Sequence, residues 1–289
     1  MRKKMGPMDC RVAAFLDQSQ WNGISRLMTM GLARIGVLGG SAFSFPDGIE
    51  AVREAQIDTP YGRPSSGLTI GAVSGQKIAI IARHGKDHSI LPHAINYRAN
   101  LWALGHAGVD CIVALATVGG IGKEFSPGSI VVPDQILDYT HSRQHTFSPL
   151  EGKLFHIDFT EPYCGGLRRI VVDCADRLNI EVRPSGTYAA TQGPRFESAA
   201  EISKLDRDGA DIVGMTGMPE ASLAREIGIC YATIGLVVNY AAGIGGNQIS
   251  VDAIRQAYSH GMQNVNLLLT EAIARLEDFE CAVPPVISP

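Results

Sequence analysis

Apolar runs of strand length alternate with segments of helical period along nearly the whole chain. Strands are predicted at 33–38, 68–73, 77–82, 111–116, 129–132, 186–190, 211–213 and 229–238, where β-branched and apolar residues cluster. Helices are predicted over 92–107, 165–178, 197–207, 218–227 and from about 250 to 277. The last carries Val251, Ile254, Ala257, Tyr258, Met262, Val265, Leu268, Leu269 and Ala272 at helical spacing. Such alternation argues for an α/β fold. No repeat, low-complexity tract or linker divides it, so one domain is expected over 31–280.

The ends of the chain read differently. Residues 1–30 open on Arg2-Lys3-Lys4, but Asp17, Gln18, Ser19, Gln20 and Asn22 interrupt any apolar run, which argues against a secretory signal. That segment is read as an extension outside the core, or an upstream start before Met28 and Met30. Residues 281–289, with Pro284, Pro285 and Pro289, are read as a Pro-rich tail.

Several strands end in glycine or small polar residues. Gly39-Gly40-Ser41 follows the first strand, and Thr117-Val118-Gly119-Gly120 follows the run at 111–116. Gly214-Met215-Thr216-Gly217 follows 211–213, and Asn239 closes the long late strand. In α/β proteins ligands collect outside such strand ends, so these four outline a small-molecule pocket. The stretch RHGKDHSILPHAINYRANLW, residues 83–102, has the same placement. Its Arg83 and His84 stand where a buried run ends, with His88 and His93 close behind. An arginine fork there suits an anion; the bland alternative is a salt bridge beside a satisfied histidine.

Composition narrows the chemistry. At 289 residues, 45% hydrophobic and 19% charged, the chain can bury a sizeable core. A net charge of −4 supplies no basic footprint for nucleic acid, and no apolar run approaches the ~20 residues that span a bilayer. A cytoplasmic protein acting on small molecules is expected, with neither nucleic acid nor membrane as partner. The six cysteines show no metal spacing and are read as reduced thiols. No HExxH, GxSxG or GxxxxGK[ST] motif is present, so neither a metal nor a cofactor is expected.

Each remaining candidate has two readings. Gly39-Gly40-Ser41 can bring backbone N–H groups and a hydroxyl to an anion, or simply turn the chain. Thr117 and Thr216 are turn residues singly, but with Ser41 and Arg83 they make a ring of donors. In Gln192-Gly193-Pro194-Arg195-Phe196-Glu197, Phe196 can stack on a flat ligand and Glu197 can accept a ring N–H. Glu197 can equally serve the first turn of a helix. Met215 is core filler or a soft ligand face. Glu220 is a helix-start residue or is free to bind hydroxyls. Asn239 can donate and accept at once, or only close a strand.

Assembled in order, these segments resemble the trimeric nucleoside phosphorylases, in particular their methylthioadenosine phosphorylase branch. The likeness runs from about Ile35 to Leu276 and rests on Gly39-Gly40-Ser41, RHGKDH, NYRANLWAL, GGIGKEFSPGSIVVPDQILDYT, TQGPRFES and GADIVGMTGMPEASLAREIGICYA. It implies a central twisted mixed β-sheet flanked by helices, a homotrimer, and attack of phosphate on a nucleoside to give purine and sugar 1-phosphate. Ser41, Arg83, His84, Thr117 and Thr216 fall on the family's phosphate positions, and Met215 on the ribose-facing one. Phe196 matches the residue against the base, and His88 and His156 match positions near the sugar.

The base is where the chain departs from the adenine-specific branch. An aspartate pair there is replaced here by Asn239 and Ala241, and Glu197 stands where the adenine enzymes tend to have a small residue. Glu197 with Asn239 is similar to the purine pair of the hypoxanthine/guanine-specific phosphorylases. The sugar end still looks like the methylthio branch, with an apolar 5′ pocket expected from the C-terminal helix and a neighbouring subunit. Phosphorolysis of methylthioinosine is therefore expected, with Asn239 and His84 as catalytic residues. Methylthioadenosine or inosine/guanosine phosphorolysis, and a non-catalytic nucleoside-binding module, are the alternatives.

Overall fold

The computed structural model describes residues 30–40, 49–147, 156–245, 250–280 and 283. Ser41, almost all of the N-terminal extension and the tail beyond residue 283 lie outside the described residues.

Strand β1 (Ile35–Gly39) is buried at every position, as a strand covered on both faces must be. It runs parallel to β4 (Gln76–Ala82) on one side and to β5 (Cys111–Gly120) on the other. Beyond β4 the sheet continues antiparallel through β3 (Leu68–Val73) to the edge strand β2 (Glu50–Ala55). The second edge of β5 carries β11 (Cys230–Tyr240) in parallel along its whole length. At the far end of β5, Gly119 and Gly120 pair antiparallel with β10 (Ile212–Gly214). That strand leads in parallel to β9 (Thr187–Ala190) and β7 (Gln135–Asp138). Strand β6 (Ile130–Val131) is antiparallel to β11 and parallel to β8 (Val182–Arg183).

The sheet therefore forks along one edge of β5. Residues Cys111 to Ala114 pair with β1, and Gly119 and Gly120 pair with β10. Between them Leu115, Ala116, Thr117 and Val118 have no strand partner on that edge among the described residues. A β-sheet backbone left open must find other partners, and the candidate site is built there.

Helices cover both faces. Alternate residues of β5 point to opposite sides, as a strand's period of two requires. Ile112, Ala114 and Val118 pack with α1 (Tyr97–Ala107) and α4 (Gly217–Glu226). Cys111, Val113 and Leu115 pack with α2 (Gly165–Leu178) and α5 (Val251–Ala274). The shorter α3 (Ala199–Arg207) covers a third cluster around Ala189 and Val213. The result is a single mixed sheet flanked by helices, as expected.

Some boundaries differ. The helix predicted from 92 divides into a 3-10 turn at Pro92–Ala94 and α1, whose first turn is capped by the Asn96 side chain accepting from Ala99 N–H at 3.1 Å. The helix predicted from 197 begins at Ala199, because Ser198 and Glu201 form a capping box. Glu197 is thereby left outside the helix. Strands β2, β7 and β8 escaped the apolar pattern because they are polar, short or at an edge; Val52 in β2 is exposed. Cys230 is disulfide-bonded, which corrects the expectation that every cysteine is a thiol; Cys111, Cys164 and Cys174 are free. Among the described residues no helix is long and apolar enough to cross a membrane.

Candidate active site

A cleft of about 590 Å³ opens at the fork of the sheet. Gly40, Arg83, His84, Thr117, Met215 and Thr216 line one part of it, and Phe196, Glu197, Asn239 and Ala241 another. The ends of β1, β4, β5, β10 and β11 thus converge on one space, as the strand-end pattern anticipated.

Arg83 occupies the gap in the sheet. Its Nη1 donates to the Leu115 carbonyl at 3.0 Å, satisfying part of the open edge of β5. Its Nε and Nη2 donate to the two carboxylate oxygens of Glu220 at 2.5 and 2.9 Å. Arg83 is 1% exposed and Glu220 is fully buried. Burial by itself lowers the Arg83 pKa, but the charge and hydrogen bonds of Glu220 more than offset it and hold the guanidinium above its ordinary value. Glu220 also accepts from the Tyr231 hydroxyl at 2.8 Å. The reading of Glu220 as free to bind hydroxyls is therefore overturned: it is the counter-ion that keeps a buried arginine charged. The fork of five N–H donors leaves two without a partner among the described residues.

Gly40 continues from β1 into this gap. A Cβ at this position would stand 2.7 Å from the Leu115 carbonyl oxygen, so only glycine lets the two backbones approach. Next to Arg83, His84 is 6% exposed, with Nδ1 2.8 Å from the Ile90 carbonyl. A carbonyl only accepts, which places the proton on Nδ1 and leaves Nε2 as an acceptor. Burial, then Arg83 and His88, outweigh the Ile90 hydrogen bond and lower the His84 pKa to about 4, so the ring is neutral at pH 7. The His88 ring lies 4.7 Å from it, centre to centre. Thr216 is buried, and its N–H donates to the Tyr188 hydroxyl at 3.4 Å.

The other part of the cleft is shaped by two backbone irregularities. Strand β11 slips register against β5 between Val237 and Asn239. Such bulges re-aim side chains beside binding sites, and Asn239 lines the cleft with Nδ2 donating to the Tyr240 carbonyl at 2.7 Å. Gly193 has φ +63°, and a Cβ there would meet the Met215 Sδ at 2.5 Å. The 192–197 loop therefore rests directly on Met215. Glu197 accepts from the Thr191 hydroxyl at 2.6 Å through Oε1, and Oε2 has no protein partner among the described residues. Phe196 is 52% exposed at the cleft mouth, offering a bare ring face.

Ile254, Tyr258 and Ser259 of α5 also line the cleft; the resemblance implied the C-terminal helix there, but their spacing by itself reads simply as helix and singled out none of them. Arg143, one arginine in a polar loop, turns out to be buried beneath the cleft. His156 is exposed and does not line this cleft within the single chain. Among the described residues no cluster of three or more His, Cys, Asp or Glu could hold a metal ion.

The family model described as the phosphorylase superfamily matches residues 34–274. The chain belongs to this superfamily. A 6-oxopurine nucleoside phosphorylase of Pyrococcus furiosus is 45% identical over 249 residues, covering 84% of this chain and 92% of the relative. A probable S-methyl-5′-thioinosine phosphorylase of Xylella fastidiosa, strain Temecula1, is 46% identical over 230 residues, covering 79% and 92%. Among solved structures, a mutant adenosine/methylthioadenosine phosphorylase of Schistosoma mansoni in complex with adenine is similar at TM-score 0.81 and 32% identity, covering 86% of this chain and 93% of that one. The superfamily match begins just before β1 and ends with α5, so every described element lining the cleft lies inside it. The nucleoside phosphorylase fold of these relatives is the one the residues build here.

Proposed function

We propose that the protein cleaves S-methyl-5′-thioinosine with phosphate, giving hypoxanthine and 5-methylthioribose 1-phosphate. The observation that carries this reading is the pairing of two chemistries in one cleft. A buried cation with spare donors stands at one end, and a carboxylate with a carboxamide stands at the other.

Phosphate binds to Arg83, Thr117, Thr216 and, outside the described residues, Ser41. His84, neutral and with Nε2 open, accepts the hydrogen of a protonated phosphate oxygen. A phosphate oxygen then bonds to the anomeric carbon while the bond from that carbon to purine N9 breaks. The electron pair departs with the purine, which takes up through solvent the proton that the phosphate gives up. Asn239 donates to the purine at O6 or N7, where negative charge develops, and a donor so placed can be worth ~3 kcal/mol. Glu197 accepts the N1–H that only a 6-oxopurine carries. Ala241 has nothing to accept from an exocyclic amine, so adenine leaves buried polar groups unpaired at ~1–3 kcal/mol each. Phe196 packs against the base. Met215 and His88 face the sugar, with Ile254 and Tyr258 supplying apolar surface for the 5′ group. His156 comes near the sugar in this reading only from a neighbouring subunit of a homotrimer. Phosphate is a co-substrate, no cofactor is invoked, and the cytoplasm is the proposed location.

Inosine or guanosine phosphorolysis is the second reading, favoured by the 6-oxopurine name of the Pyrococcus furiosus relative. Steady-state kinetics with methylthioinosine, methylthioadenosine and inosine separates the readings. The expected order puts methylthioinosine first. A tenfold preference for methylthioadenosine, ~1.4 kcal/mol in the barrier, would overturn the base assignment, and preference for inosine the sugar assignment. In Asn239→Asp, 6-oxopurine activity should fall and adenine activity rise by about 10-fold or more. Binding of nucleoside without phosphorolysis or arsenolysis would favour a non-catalytic module.

A further inference from the structure

Arg143 is 8% exposed, yet no carboxylate lies within ion-pair distance of it among the described residues. Its charge is met instead by neutral oxygens from three parts of the chain. Nε donates to the Gln192 side-chain oxygen at 3.1 Å, and Nη2 to the Thr191 and Gln192 carbonyls at 3.1 and 2.9 Å. Nη1 is shared among the Met215 carbonyl at 2.9 Å, the Met218 carbonyl at 2.5 Å and the Tyr97 hydroxyl at 3.0 Å. The guanidinium also lies 5.2 Å from the centre of the Tyr97 ring.

These acceptors are not scattered. Thr191 and Gln192 begin the loop that presents Phe196 and Glu197, and Thr191 holds Glu197 through its hydroxyl. Met215 precedes Thr216 in the turn after β10, and Met218 stands in the non-helical opening of α4 just beyond it. Tyr97 belongs to α1 and also donates to the Pro92 carbonyl at 2.8 Å, beside the cleft. Desolvating a guanidinium without a counter-ion is costly and calls for this many acceptors. A planar fork reaching several carbonyls at once is a task lysine cannot perform.

We propose that Arg143 is a positioning residue that fixes the base-reading loop, 191–197, against the sugar-facing turn, 215–218, and so sets the distance between purine and phosphate. The proposal rests on the phosphorolysis reading for its catalytic consequence, but not for its structural one. In Arg143→Lys, amide hydrogen exchange should accelerate about tenfold or more in both segments together while β1, β4 and β5 keep their protection. With methylthioinosine, kcat should fall about 100-fold, as misplacement of reacting groups by ~1 Å does, and KM for phosphate should change little. Glu197→Gln should cost much less activity in the Arg143→Lys background than in the wild type, because a carboxylate already misplaced has less to lose. Tyr97→Phe, which removes one acceptor and keeps the ring, should move the same readouts in the same direction by less.

Unchanged exchange in either segment, in both variants, would overturn the proposal. So would loss of protection throughout the sheet, which would make Arg143 a general support of the fold. If the wild type shows no phosphorolysis but the two segments loosen together, the function reading fails and the positioning role stands. Full additivity of the Arg143 and Glu197 substitutions would reject the link to the base.

Discussion

At the scale of residues, the site is a set of ionisable groups whose states are fixed by neighbours. Arg83 stays charged in the interior because Glu220 supplies a full counter-ion and Leu115 an acceptor. His84 stays neutral because it is buried beside that same cation, with its pKa lowered to about 4. An unfolded histidine takes up a proton near pH ~6.5, which the folded chain refuses until about 4. The resulting contribution to stability is complete above pH ~6.5 and is lost as the pH falls toward the folded value, amounting to at most ~3 kcal/mol. Urea unfolding of the wild type and of His84→Gln checks this. Between pH ~7.5 and ~4.5 the wild type should lose more stability than the variant, whereas equal losses would refute the assignment. Arg83, His84 and Glu197 were legible as polar groups at apolar boundaries. Glu220 and Arg143 were not, because their meaning lies in partners more than a hundred residues away or in carbonyls that carry no sequence signal.

At the scale of elements, the site exists because the edge of β5 is only partly paired. Strand β1 stops at Gly39, β10 joins only at Gly119, and of the four residues between them Ala116, Thr117 and Val118 line the cleft. Gly40 is the hinge of this arrangement. Gly40→Ala would press a methyl against the Leu115 carbonyl and should destabilise the fold by about 1–3 kcal/mol. Phosphate protection against thermal unfolding should weaken in parallel, and a variant with wild-type melting and phosphate response would contradict this account. The main strands and helices were readable from periodicity, since burial on two faces demands continuous apolar runs. The polar edge strand β2 and the short β7 and β8 were not, because pairing rather than composition makes them strands.

At the scale of the whole molecule, one mixed sheet brings five strand ends to a single cleft of about 590 Å³. The homotrimer implied by the family resemblance should appear in sedimentation equilibrium as a species of three chains at micromolar concentration, and a stable monomer with full activity would reject it. The exposed Phe196, the open mouth of the cleft and the position of His156 away from it within one chain are consistent with such an assembly. Local patterning determined the α/β class, the small polar and glycine residues at strand ends, and the residue types able to hold an anion or bind a flat ring; the resemblance, not the pattern, made that ring a purine. The patterned features follow from burial period and side-chain donors along neighbouring positions. Only the tertiary structure decided that Glu220 neutralises Arg83, that a bulge in β11 precedes Asn239, and that Arg143 ties two loops together. Those are contacts between segments far apart in sequence, and no local pattern encodes which distant partner a buried charge will meet.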